Sequence, residues 1–203
     1  MEPFRILTAV ACPLPVSGID TDQLIPARFM SRSRQEGYGP VLLHDMRFDE
    51  SGAPRRDCPL NDPARAGARI LAARRNFGGG SSRESAVYAL VDYGIRCVVA
   101  PSFGDIFAGN AANNGLVPAR VGEDEAERLL ALLADGLSTL TVDLQAETIA
   151  AGPWTLPFAI DPVFRTKLLN GWDDLDLTLS HADAVAAFAE ADRRRRPWMA
   201  PTA

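Results

Sequence analysis

The sequence predicts an α/β protein with a mostly parallel central sheet, helices packed on it and additional antiparallel strands. Two observations carry this. Between Ala68 and Gly136, short apolar runs alternate three times with longer segments whose apolar residues recur at helical spacing. From Ser138 to Gly152 the pattern changes to apolar and polar residues in alternation, as half-buried antiparallel strands require.

Taken in order, "RILTAVAC" near the N-terminus reads as a first strand that ends in a proline-rich turn at Pro13 and Pro15. The chain to about residue 67 is irregular, and "FDESGAPRRDCPLNDPARAG" reads as long surface loop. "ARILAA" is a short buried strand, and "SSRESAVYALVDYG" is a helix closed by Gly94. "RCVVAP" is the next strand, "SFGDIFAGNAANNG" a helix stopped by Gly115, and "LVPARV" a third strand of this series. "GEDEAERLLALLADG" is an amphipathic helix whose acidic first turn suits the helix dipole. "STLTVDLQAETIAAG" and "WTLPFAI" supply the antiparallel strands. "DPVFRTKLLNG" is a helix opened by Asp161 and Pro162, and "SHADAVAAFAEADRRRR" a helix opened by Ser180 and Asp183 at capping-box spacing. The expectation is one domain over residues 1–203, with a long irregular loop at about 30–67 and a C-terminal helical extension at about 161–199.

Composition narrows the function. Of 203 residues, 47% are hydrophobic and 23% charged, an ordinary globular balance. The net charge of −5 argues against nucleic acid and anionic membranes as partners. Arg193–Arg196 ends an acidic amphipathic helix, where it complements the C-terminal dipole and needs no polyanion. No apolar run is long enough to cross a bilayer. Cys12, Cys58 and Cys97 are odd in number and far apart, which reads as reduced cysteines in a cytoplasmic protein. With His44 and His181 as the two histidines, no metal site is expected from this chain.

The chemistry concentrates in "NFGGGSSRESA", residues 76–86, between a predicted strand and a predicted helix. Gly78, Gly79 and Gly80 let the backbone turn and approach a ligand closely. The helix N-terminus that follows is a natural anion site. Ser81 and Ser82 add hydroxyls, and Arg83 adds a planar fork suited to a carboxylate. The stretch lacks the third glycine of a dinucleotide turn, the Gly-Lys of a P-loop and the spacing of a nucleophile elbow. Those absences favour a small carboxylate over a phosphate cofactor. Spacing alone equally allows a turn with a serine N-cap and a solvent-facing arginine.

Four separated motifs carry a family resemblance. "GGGSSRE" resembles the serine signature of the aconitase superfamily's swivelling domain. "IDTDQLIPARFM" is similar to the N-terminal segment of its stand-alone small subunits, and "DYGIRCVVAPSFGDIFAGNAANNGLVP" to the stretch after the serine motif. "FRTKLLNGWDDLDLTL" is similar to the C-terminal part of bacterial 3-isopropylmalate dehydratase small subunits. The resemblance runs from about residue 4 to about 199. It implies a swivelling β/β/α-type domain and a hydro-lyase that isomerises 2-isopropylmalate and 3-isopropylmalate in leucine biosynthesis. It also implies a large-subunit partner that carries a four-iron four-sulfur cluster.

Residue by residue, the resemblance implies that Ser81 is the base. Ser82 supports its oxyanion, Arg83 clamps a substrate carboxylate, and Glu84 orients Arg83 or the helix start. Asp22 matches a residue at the border of the site. The segment "ARFMSRSR" matches the loop that discriminates substrate side chains, with Met30 as apolar surface and Arg28 or Arg32 as partners for an extra carboxylate. From the residues themselves, Asp20 and Asp22 read as turn chemistry before Ile25 and Pro26. Two positions depart from the family pattern: Gly79 stands where cysteine is common, and Ser85 where histidine is usual. They leave open a paralogue acting on a related diacid, of citraconate, methylated malate or homoaconitate type. A non-catalytic partner that stabilises a large subunit also stays open.

Overall fold

The computed structural model describes residues 1–199. Seven strands form one sheet in the order β4-β3-β2-β1-β5-β6-β7. They are β1 (Ile6–Leu14), β2 (Ile70–Ala73), β3 (Cys97–Ala100), β4 (Val117–Arg120), β5 (Thr139–Asp143), β6 (Thr148–Ala151) and β7 (Trp154–Pro157). β1 to β4 pair in parallel, and β5 to β7 continue the sheet antiparallel from β1. The parallel half and the antiparallel extension therefore follow the two sequence patterns.

β1 is the seam between the halves. Its residues Ile6–Val10 pair with β5, whereas Ala11–Leu14 pair with β2. The strand runs through Pro13 to Leu14 and so extends past the turn expected there. Pro13 is tolerated because the β5 ladder has ended by Val10, so its missing N–H falls on an edge. Arg65 braces this seam. Its guanidinium donates to the carbonyls of Ala11, at 3.0 Å, Leu137, at 2.8 Å, and Leu133, at 2.5 Å.

Alternate residues of the central strands feed two cores. Leu71, Ala73, Val98 and Ala100 face one side, with α3 (Glu84–Tyr93) and the chain from Ile19 to Leu60 packed on them. Ile70, Ala72, Cys97 and Val99 face the other, under α5 (Glu123–Ala134). Fully apolar strands such as β2 follow from this two-sided burial. α3 ends at Gly94, which takes the left-handed conformation at φ +110°. α4 (Asp105–Asn113) connects β3 to β4, and α6 (Pro162–Asn170) packs across α4.

Three expectations need correction. The segment at 48–67 is not all surface: Cys58 and Leu60 are buried, and Asn61 ties the loop by donating to the carbonyls of Arg47 and Arg55. The N-terminal region also contains α1 (Thr21–Leu24), α2 (His44–Arg47) and several 3-10 turns, with Leu42 and Leu43 fully buried. Finally, Ser180 does not cap the last helix, α8 (Ala182–Arg195). Its hydroxyl donates to Leu177 O at the end of α7 (Asp174–Leu179), a helix opened by a reciprocal Asp173–Asp176 capping box. Two sets of cap signals overlap in this short span, and Ser180 belongs to the earlier helix.

α8 buries none of its residues, and Val185 and Phe188 are exposed. Stability should therefore separate cleanly between the seam and the extension. Arg65→Ala, which orphans three backbone carbonyls, should cost about 2–3 kcal/mol in a denaturant melt. Phe188→Ala should stay within about 0.5 kcal/mol. Equal losses would show that α8 is part of the cooperative core.

Candidate active site

The glycine loop continues the parallel sheet beyond its strands. Gly78 N–H donates to Ile19 O at 2.7 Å, and Thr21 N–H donates to Gly79 O at 3.0 Å. On the other side, Phe77 N–H donates to Ser102 O at 3.0 Å, and Gly104 N–H donates to Phe77 O at 2.9 Å. Asp20 bridges Gly79 and Phe77 bridges Phe103, both in parallel sense. Segments 19–21, 77–80 and 102–104 are thus laced together at the C-terminal ends of β1, β2 and β3. In α/β sheets this edge is where ligands bind.

Close packing dictates the glycines. Gly78 sits at φ +70°, and a Cβ there would collide with the Phe107 ring. A Cβ on Gly104 would lie 2.5 Å from Gly78 O. Gly79 differs. Its φ is ordinary, and the nearest atoms to an added Cβ belong to the Asn76 side chain, whose Oδ1 at 3.0 Å would have to shift slightly. The departure to glycine at 79 therefore removes a side chain that the backbone would accept.

A cleft of about 210 Å³ opens on this loop, lined among others by Thr21, Gly80, Ser81, Arg83, Asp105 and Asn110. Two helices point their N-termini toward it. α3 begins after Arg83 and α4 after Gly104, and neither N-cap residue makes a side-chain cap hydrogen bond. The serine N-cap that spacing allowed is not formed. The first N–H groups of both helices are left with partial positive charge facing one cleft, an arrangement that favours an anion.

Arg83 is mostly buried, with 17% of its side chain exposed, and its Nη1 donates to the Asp22 carboxylate. Among the described residues, this is its one protein acceptor. Nη2 and Nε remain for a second carboxylate. Ser81 is exposed at the cleft, and the Thr21 hydroxyl fixes its backbone by donating to Ser81 O at 2.8 Å. Ser82 is exposed beside it. Glu84 does not orient Arg83; it accepts from Asn114 Nδ2 at 3.0 Å, tying the start of α3 to the end of α4. Ser85 Oγ is buried and has no hydrogen-bond partner among the described residues.

Asp20 and Asp22 divide their work. Asp20 caps α1 in a reciprocal box with Gln23, the turn chemistry its spacing suggested, whereas Asp22 reaches Arg83. Met30 and Arg28 do not line the cleft. Arg28 is held in a two-pronged pair by Asp45, whose carboxyl it draws below the usual range. Met30 is 41% exposed at the end of a short 3-10 turn. Sequence reading missed Asp105, Phe107 and Asn110. The signal was available: "NFG" and "SFG" each follow a strand and precede a helix, and adjacent parallel strands bring both to one edge.

Among the described residues no group of three or more His, Cys, Asp and Glu converges into a seat for a metal cluster. The cysteines are buried, and burial pushes the Cys12 thiol up to about 12 and raises that of Cys97 as well. Such thiols resist the deprotonation that metal binding needs. No helix is long and apolar enough to cross a membrane among the described residues.

A strand-end cleft flanked by two helix N-termini without side-chain caps and by a half-buried arginine fork defines an α/β domain with a site that favours an anion. The family described as aconitase C-terminal domain matches residues 1–124. The family described as the C-terminal domain of the 3-isopropylmalate dehydratase small subunit matches residues 174–202. The chain is 46% identical to a 3-isopropylmalate dehydratase small subunit of Rhodospirillum centenum, covering 98% of each chain. It is 44% identical to one from Oceanobacillus iheyensis, over 95% of this chain and 100% of that one. A solved 3-isopropylmalate dehydratase structure from Methanocaldococcus jannaschii shares the fold, with a TM-score of 0.62 at 23% identity, covering 91% of this chain and 99% of that one. The chain belongs to the 3-isopropylmalate dehydratase small-subunit family, within the aconitase superfamily of swivelling domains.

The packing contrast between neighbouring glycines is testable. Gly78→Ala should lower stability by at least ~1–3 kcal/mol, because φ and the Phe107 contact both oppose a Cβ. Gly79→Cys should leave the thermal midpoint within a few degrees. A reversed order would mean that the loop is not laced as described.

Proposed function

We propose that this chain is the small subunit of a cytoplasmic heteromeric hydro-lyase that interconverts 2-isopropylmalate and 3-isopropylmalate by dehydration and rehydration. The observation that carries the reading is the convergence of Ser81, Arg83 and two uncapped helix N-termini on one cleft. The relatives' designation as small subunits supports a large subunit as partner. A four-iron four-sulfur cluster on that partner would supply the Lewis-acid chemistry that loosens the substrate hydroxyl.

In this reading, Arg83 fixes one substrate carboxylate with the donors that Asp22 leaves free, and the first N–H groups of α3 or α4 take the remaining oxygens. Asp22 is a positioning residue. Its negative charge repels a carboxylate, but it holds the Arg83 fork in place. Ser81, held as its alkoxide, takes the proton from the substrate carbon and becomes a hydroxyl while the neighbouring C–O bond breaks; the leaving hydroxide takes a proton from a general acid on the partner subunit, giving 2-isopropylmaleate and water. Water adds back in the opposite sense, returning its proton to that acid's conjugate base, and the Ser81 hydroxyl returns its proton to carbon to give the isomer and regenerate the alkoxide. A free serine is far too weak a base for this step. Positive potential at the α3 N-terminus lowers the cost of holding Ser81 as the alkoxide before the step, and Ser82 adds a hydroxyl donor beside it.

Two outcomes follow. The purified chain alone should be colourless and without isomerase activity, acquiring activity only with a cluster-bearing large subunit; iron–sulfur absorbance from the chain by itself would refute this division of labour. In the reconstituted pair, Ser81→Ala should slow turnover by roughly 10²–10⁴-fold with KM little changed. Arg83→Lys should raise KM and slow turnover together, since it keeps charge but loses the fork. Asp22→Asn should have a milder effect in the same direction. Assays against citraconate-, methylmalate- and homoaconitate-type diacids decide the substrate: faster turnover of one of these than of isopropylmalate would reassign it. Near-normal turnover of the Ser81→Ala pair would leave the motif as a carboxylate cradle only.

A further inference from the structure

The first turn of α4 gives the cleft more than its N–H groups. Gly104 N–H donates to Phe77 O at 2.9 Å, and a Cβ on Gly104 would lie 3.2 Å from Gly79 Cα, so α4 starts in contact with the glycine loop. Phe107 is 3% exposed and stacks on Phe103 with the ring planes 7° apart. Seated in that floor, Phe107 fixes the rotation of the helix, and the two residues before it, Asp105 and Ile106, line the cleft. Ile106 is 57% exposed, and among the described residues it is the one exposed large hydrophobic side chain on the cleft. Asp105 is exposed too and joins no ion pair among the described residues.

The charge balance of the cleft is therefore tight. Two charged side chains stand in its lining, Arg83 and Asp105, and Arg83 is already shared with Asp22. One carboxylate finds a donor fork there. A further carboxylate reaching α4 meets an unpaired negative charge, whereas an alkyl group meets Ile106. Hydroxysuccinate substrates share a core and differ in the group on carbon 3: a branched alkyl group in 3-isopropylmalate, a carboxyethyl group in homoisocitrate. We propose that the first turn of α4 is the specificity element, in which Ile106 takes the alkyl group of a diacid and Asp105 turns away a third carboxylate. This rests on the hydro-lyase reading above and narrows its substrate class to dicarboxylates with an uncharged aliphatic substituent. The choice of substrate then lies in a helix turn that forms the cleft wall, and not in the span at 28–33, which lies off the cleft.

Steady-state kinetics on the reconstituted pair test it, with 3-isopropylmalate, malate and homoisocitrate as substrates and gel filtration as the check on assembly. Both side chains are exposed, so their variants keep the fold. Ile106→Ala should lower kcat/KM for 3-isopropylmalate about 10-fold, mainly through KM, and leave malate within about twofold, as loss of apolar contact with the substituent requires. Asp105→Asn should leave 3-isopropylmalate near its wild-type value and raise kcat/KM for homoisocitrate about 10-fold, and Asp105→Glu should restore the rejection. Added salt should relax that rejection in the wild-type pair and not in Asp105→Asn. Unchanged substrate ratios in both variants overturn the proposal, while turnover of isopropylmalate by the wild-type pair keeps the hydro-lyase reading. A loss in Ile106→Ala that falls equally on malate, or that tracks weakened assembly, makes Ile106 a subunit contact and overturns its role. Selectivity that moves with Met30→Ala instead returns the choice to the span at 28–33. A wild-type pair inactive on all three substrates overturns the hydro-lyase reading and the proposal together.

Discussion

Everything at the functional end of this molecule depends on a few backbone hydrogen bonds made beyond the last residues of the strands. The chain at 77–80 is held between 19–21 on one side and 102–104 on the other, as if three parallel strands continued after the sheet ends. This lacing works only if no side chain intervenes, which is why Gly78 rests against Phe107 and Gly104 against Gly78. The three phenylalanines, Phe77, Phe103 and Phe107, then pack edge-on or stacked beneath the loop and give it a rigid floor. Directly above that floor, two helices start without side-chain caps. Helix N-termini in this arrangement favour an anion.

The same constraint explains the division between rigid and open parts. Residues of the cleft take their positions from sheet backbone and from α3 and α4, whose relative placement is tied by Glu84 and Asn114. The far end of α4 is tied in turn to the extension: the buried Lys167 ammonium donates to Asn113 and Asp174, and holds the Asp174 carboxyl below its ordinary range. α8 lies outside this network and contributes no buried side chain. Its exposed apolar residues belong to the part of the chain matched as a family-specific C-terminal domain. The cleft and the extension thus answer to different physical demands.

How much of this was legible in the sequence follows from what each signal encodes. Strands β2, β3 and β4 and helices α3, α4 and α5 were readable because two-sided burial writes fully apolar runs and amphipathic spacing directly into local sequence. The serine motif was readable through its family resemblance, since its spacing alone equally allowed a plain turn before a helix. The packing of residues 19–60 was not readable, since Leu42 and Leu43 are buried by contacts distant in sequence and their surroundings look like loop. The Asp22–Arg83 pair spans 61 positions and has no local signature. Caps near α7 and α8 were misassigned because Asp173, Asp176, Ser180 and Asp183 offer competing signals, which only helix packing resolves.

The central claim is that the strand-end cleft seats a diacid with one carboxylate on Arg83 and the helix N-termini, and its reacting carbon beside Ser81. The most direct measurement is a crystal structure of this chain assembled with its large subunit and a non-reacting isopropylmalate analogue. The account predicts a carboxylate bridging the free donors of Arg83 and the first N–H groups of α3 or α4, with Ser81 Oγ within hydrogen-bond reach of the substrate carbon's position. A diacid bound elsewhere, with the cleft at Gly78–Arg83 left to solvent, would contradict it.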